Sequence, residues 1–196
     1  MTALPAKPAN HAPSPTARPV AIVRAVAALL WAIAFLAAVH GRLVPAGSDM
    51  PLSAGLLLAG YPLIDAVASL YEHQRRRVLA NAAAVIDALG VVGLLLATLT
   101  LHAGSVLIAF GTWAFASGIL QLLDAWRAAT SRRAQLPLIL SGAISALAGI
   151  AFAAMAGQRT AHLANVGGYA ILGAGFFLVW TVLNRGSRSG IGPAVG

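Results

Sequence analysis

Residues 103–123 read AGSVLIAFGTWAFASGILQLL, an uncharged run closed by Asp124 and, three residues on, Arg127. A helix needs about 20 mostly apolar residues to cross a hydrocarbon core roughly 30 Å thick, because every backbone polar group must be bonded within the span. Segments 20–40, 51–71, 78–101, 135–157 and 163–183 meet the same test. The expectation is an all-α polytopic membrane protein with six transmembrane helices. Six spans leave only short connections and two tails, 1–19 and 185–196, so no separate soluble domain fits. The 59% hydrophobic and 9% charged composition agrees; a soluble chain of that balance would lack the polar groups to cover its surface. The first tail carries Pro5, Pro8, Pro13, Pro15 and Pro19, and both tails read as disordered.

The net charge of +8 takes its meaning from where the basic residues fall. With the N-terminus inside, Lys7, Arg18, Arg75, Arg76, Arg77, Arg127, Arg132, Arg133, Arg185 and Arg188 all lie on the cytoplasmic side, and Arg42 and Arg159 on the other. Cytoplasmic loops keep Lys and Arg, so both termini are assigned to the cytoplasm. The Arg-dominated, Ala- and Gly-rich composition points to a bacterium, and hence to a multi-pass protein of the inner membrane. The basic clusters beside the spans suit anionic lipid headgroups. Nucleic acid is not expected, because no stacking platform or reader motif accompanies them. There is no cysteine, which removes disulfides, thiolate metal sites and Cys nucleophiles.

An internal repeat runs through the spans. GYPLIDAVASLYEHQRRR, from Gly60, and GTWAFASGILQLLDAWRAATSRR, from Gly111, each pass from Gly through an apolar stretch to an acid and then arginines. GAGFFLVWTVLNRGSR, from Gly173, keeps the shape with Asn184 in place of the acid. The unit is a helical hairpin of about 50 to 60 residues used three times, similar in size to known repeats. Small residues forecast helix contacts, since lipid offers no hydrophobic drive between spans and close backbone approach must supply the packing. Ser141, Ser145, Gly149, Ala153 and Gly157 recur every four residues, and this stripe is expected against another helix. Gly90, Gly93, Gly111, Gly118, Gly173 and Gly175 thin other spans in the same way, and spare stripes leave self-association into a homo-oligomer open.

Three ionisable residues fall inside the spans: Arg24, Asp65 and Asp87. Each costs roughly 2.5 to 3.5 kcal/mol at a helix centre, so each calls for a partner, water or an escape to the interface. Arg24 is close enough to the cytoplasmic end to snorkel. Asp65 lies roughly 10 Å from Glu72 at about 1.5 Å per residue and wants a partner. Asp87 lies deepest and is open to pairing, solvation or protonation. A fixed bridge from Arg24 to Asp65 or to Asp87 is one reading, and a proton or ion relay is the other. Pro62 is expected to kink the second span.

His40, His102 and His162 fall one in each non-cytoplasmic connection. Imidazole gains charge near pH of about 6.5, which makes them candidate pH sensors; the plainer reading is a polar aromatic residue at the interface. No phosphate loop, HExxH, nucleophile elbow or paired carboxylate motif appears. The expectation is no enzyme, no cofactor and no metal.

The segments GTWAFASGILQLLDAWR (111–127), QLPLILSGAISALAGIAF (135–152) and YPLID (61–65) make the chain resemble the HdeD-like family of small bacterial membrane proteins. The resemblance covers about residues 18–185. It implies six transmembrane helices, no enzyme and no cofactor, and, from the family's named member, a part in acid resistance or stress tolerance. It assigns no role to Arg24, Asp65 or Asp87.

Overall fold

The computed structural model describes residues 17–39, 44–45, 47–72, 77–127, 132–158 and 162–184. Within them the chain is all-α: α1 (Ala17–Ala38), α2 (Leu52–Glu72), α3 (Arg77–Thr98), α4 (Ala103–Arg127), α5 (Arg132–Met155) and α6 (Ala164–Leu183). Five of these are long and apolar enough to cross a membrane. The apolar stretch found in α2 is Leu52–Ala68, and it contains Asp65.

Several helix bounds differ from those the apolar runs suggest. α1 begins at Ala17, inside the stretch expected to be disordered; Ala and Arg are good helix formers, and Pro19 sits in the first turn, where its missing N–H costs nothing. α4 runs on through Asp124 to Arg127, since a helix need not stop where its apolar run does. α3 stops at Thr98 instead of Leu101. The chain there turns through Leu101, whose φ of 54° is a left-handed conformation that few residues other than Gly adopt. The turn is held by Leu101 N–H to Thr98 O at 3.0 Å and Thr100 Oγ1 to Ala97 O at 2.7 Å. The remainder of both tails lies outside the described residues.

Each helix packs on its sequence neighbours and α1 packs on α6, so the six close into a ring. Across it, among the described residues, only α2 and α4 approach backbone to backbone, while aromatic side chains of α2, α4 and α6 meet in the middle. The most extensive contact is α4 on α5, and glycine makes it. Gly111 meets Gly149, and Gly118 meets Gly142. One helix ascends by seven as the other descends by seven, which is an antiparallel register with backbone against backbone. Part of the forecast stripe is here: Ser145 Cβ lies against Gly118, and Gly149 and Ala153 against Gly111. Gly142, one position off that stripe, is the residue the four-residue spacing missed. Gly90 admits the Trp113 ring on α4, and Gly55 admits Thr98 on α3. Gly93, Gly157 and Gly175 face open space, so for them the expectation of close packing fails.

The apolar distribution is reversed relative to a water-soluble bundle. Leu89, Leu96, Leu99, Leu147 and Val23 are well exposed, whereas Ala25, Ala32, Ala54, Ala114 and Ala170 are fully buried. Many large side chains face outward and alanines lie where helices meet, as packing in lipid requires, although other large ones fill the ring's interior.

The connections after α1, α3 and α5 gather at one end of the ring. There residues 44–45 and 47–50 form isolated antiparallel bridges with both later turns, Pro45 opposite His162 and Asp49 opposite His102. Met50 N–H bonds Leu101 O at 2.9 Å, Ala103 N–H bonds Ser48 O at 3.1 Å, and Leu163 N–H bonds Val44 O at 3.2 Å. This is the hairpin end; α2, α4 and α6 finish at the opposite end.

Candidate functional site

The interior of the ring differs between its two halves. Toward the hairpin end it is filled by side chains with almost no exposure, among them Phe35, Leu58, Leu94, Leu107, Phe110 and Val166. At mid-height an aromatic layer closes it. Tyr61 packs on Phe110 at 6.0 Å and on Trp113 at 5.6 Å between ring centroids, and Tyr169 meets Phe110 at 5.8 Å and Phe152 at 6.0 Å. Below that layer, toward the opposite end, buried positions go to Asp65, Gln135, Ser141 and Asn184, with alanines between them. Among the described residues the buried interior is mainly apolar in one half, Thr98 apart, and more polar in the other.

Arg24 and Asp65 sit in the polar half. Arg24 Nε donates to Asp65 Oδ1 at 2.9 Å and Nη2 lies 2.7 Å from Oδ2. This is a two-bond fork, the geometry in which guanidinium and carboxylate match best. The Arg24 guanidinium carbon also lies 4.4 Å from the centre of the Phe177 ring on α6, a cation–π contact. One side chain of α1 thus ties α2 and α6 to it. Of the two bridges open from the sequence, the Asp65 one is formed, and Arg24 turns into the ring instead of snorkelling.

Asp87 takes a different partner. It is buried at mid-height on α3, and Trp113 Nε1 on α4 donates to its Oδ1 at 3.0 Å. The ring that carries this donor is the one that Gly90, three residues after Asp87, leaves room for. A tryptophan partner was not foreseen; the signal lay in a tryptophan facing an acid on adjacent, antiparallel spans.

Pro62 removes the helical bond to the Leu58 carbonyl. On the same stretch of α2, Trp31 Nε1 donates to the Leu57 carbonyl at 2.6 Å, and Trp31 stacks on Phe35 at 5.1 Å. This contact docks α1 on α2 beside Pro62, two turns above Arg24.

A small cavity lies beside the ion pair, bounded by Arg24, Tyr61, Asp65, Gln121, Ser141 and Tyr169. Ser145 also lines it, with its hydroxyl 2.9 Å from that of Tyr169. Ser141 and Ser145 therefore serve the cavity as well as the helix contact. Of the histidines, His102 is exposed at the start of α4, opposite Asp49, and His162 is half-buried before α6, opposite Pro45. His162 Nδ1 is buried without a hydrogen-bond partner among the described residues. His40 lies outside the described residues. No group of three or more His, Asp or Glu side chains suited to a metal occurs among the described residues.

No protein-family model, no curated protein and no solved structure matches this chain.

Proposed function

We propose that this chain is a non-enzymatic, multi-pass protein of the bacterial inner membrane that serves stress tolerance, acid tolerance first. In this reading all six helices cross the bilayer as three repeated hairpins, with both termini in the cytoplasm. The observation that carries it is that both carboxylates within the spans are engaged inside a closed ring, Asp65 by Arg24 and Asp87 by Trp113. A conducting path needs groups that exchange partners with water; a barrier needs them tied. The arginine asymmetry supports the orientation, and on it the apolar, aromatic half faces outward, between external protons and the two carboxylates. α2 joins the crossings because Asp65 is neutralised within the ring and its apolar stretch, at about 1.5 Å per residue, reaches roughly 25 Å. The resemblance to the HdeD-like family supports the acid-related role.

A second reading, a small transporter or channel using Asp65 and Asp87 as a proton or ion path, is favoured by the polar cavity beside Asp65. Proteoliposomes holding an internal pH dye separate the two. Under an imposed proton gradient the wild-type chain is expected to add no flux to that of bare lipid. Flux that is lost in Asp65→Asn would overturn the barrier reading in favour of transport.

A further inference from the structure

The cavity in the polar half is lined by two hydroxyls, those of Tyr61 and Ser141, whose side chains make no hydrogen bond among the described residues. Tyr61 is 7% exposed and Ser141 4%, and both line it. Neither hydroxyl has a hydrogen-bond partner among the described residues, whereas the neighbouring Ser145 and Tyr169 hydroxyls bond one another. Buried polar groups are almost always paired, because an unpaired one forfeits the bonds it made to water. The pressure is greater between helices in lipid, where no bulk water is at hand. Gly173 helps keep the space open: a Cβ there would stand 3.7 Å from the Tyr61 hydroxyl oxygen.

Size and charge define what fits. The cavity offers about 20 Å³ to the centres of water-sized molecules, which accommodates about one water and excludes organic ligands, whose pockets run to several hundred Å³. Arg24 and Asp65 cancel one another at 2.7 Å, and Ser141, Ser145, Tyr61, Tyr169 and Gln121 are neutral. A lone cation would meet Arg24 and a lone anion Asp65.

We infer that this cavity is a binding site for a neutral, water-sized guest that both donates and accepts hydrogen bonds, held by the Tyr61 hydroxyl on α2 and the Ser141 hydroxyl on α5 beside the Arg24–Asp65 pair. Water and ammonia share that chemistry. The guest links the first hairpin to the third through the middle of the ring, where the backbones of α2 and α5 do not approach one another among the described residues. This inference is independent of the physiological role proposed above.

The test uses the full chain in lipid nanodiscs. Tyr61→Phe and Ser141→Ala each delete one hydroxyl and little volume. Each is expected to lower the melting temperature by roughly 2 to 4 °C, and the double variant by less than the sum, since the guest is lost once. Single variants that melt at or above the wild-type temperature, or strictly additive losses, would show a dry cavity and overturn the proposal. Radiolytic hydroxyl labelling of the wild type gives a second readout that needs no variant to fold. Tyr61 is expected to label in spite of its burial, and its protection would likewise overturn the site. Melting in ammonium chloride against sodium chloride, at matched pH and ionic strength, identifies the guest. A rise seen with ammonium in the wild type and absent from the double variant assigns ammonia, and equal melting assigns water.

Discussion

Gly111 and Gly149 face each other across the α4–α5 contact so closely that neither tolerates a side chain. A Cβ on Gly111 would stand 2.6 Å from the Gly149 carbonyl oxygen, and one on Gly149 would stand 2.5 Å from that of Gly111. The obstacle in each case is backbone, so the helices themselves must part. Gly111→Ala and Gly149→Ala are expected to cost about 1–3 kcal/mol each, measured as a fall in melting temperature. Gly93→Ala and Gly175→Ala, which meet open space, are expected to be neutral or to stabilise by up to roughly 1 kcal/mol through helix propensity.

The Arg24–Asp65 fork predicts a strong coupling between two positions 41 residues apart. Arg24→Leu and Asp65→Leu each strand a charge and are expected to cost about 3–5 kcal/mol, with the double variant costing far less than the sum. Strict additivity in detergent melting would mean that the two groups do not depend on one another.

Asp87 is expected to behave independently of Arg24. Trp113→Phe keeps a ring against Gly90 but removes the donor to Asp87, a loss of about 1–3 kcal/mol. Asp87→Leu combined with Arg24→Leu should be additive within about 0.5 kcal/mol. Coupling above that figure would show that Arg24 serves both acids.

Orientation is testable by reporter fusions. Those placed after Arg77, Arg133 and Arg188 are expected to be cytoplasmic, and those after Asp49 and Arg159 to be translocated. A periplasmic reporter that is active after Arg133 would reverse the assignment.

For the acid-related role, loss of the gene is expected to lower survival at low external pH, and the wild-type chain to restore it. A variant carrying His40→Gln, His102→Gln and His162→Gln, at equal abundance, is expected to restore less. Equal rescue would take the histidines out of the mechanism, and an unharmed deletion strain would count against the role itself.

The helices were legible because apolar length is a one-dimensional property, and each apolar run of the sequence holds one of the six helices. Their ends were less so. Ala17 to Pro19 and Asp124 to Arg127 are helical outside the apolar runs, and the turn at Leu101 takes the last residues of the run 78–101 out of α3 without a Gly or Pro between Thr98 and Leu101 to mark it. The three ionisable residues were recognisable from their cost in lipid, but partner choice depends on which helices adjoin. Arg24 had two acids to choose from, and only the ring order puts Asp65 within its reach and Trp113 beside Asp87. The stripe from Ser141 to Ala153 pointed to α5 as a packing helix; its register on α4 came from Gly142, which a strict four-residue period skips because a helix turns every 3.6 residues.

That Arg24 finds its counter-charge on α2, within the first hairpin, bears on how the chain is made. Helices emerge from the ribosome in order, and an unpaired charge in a span raises the cost of leaving the insertion channel. Arg24 needs only one further helix before its charge is cancelled by Asp65, whereas the Phe177 ring that covers it arrives with the last. The α1–α6 contact that closes the ring is likewise among the last that synthesis permits. On the proposed six-span topology, the first hairpin enters the bilayer with the Arg24 and Asp65 charges already cancelled and waits, held by its own ion pair, for the rest of the chain to be translated around it.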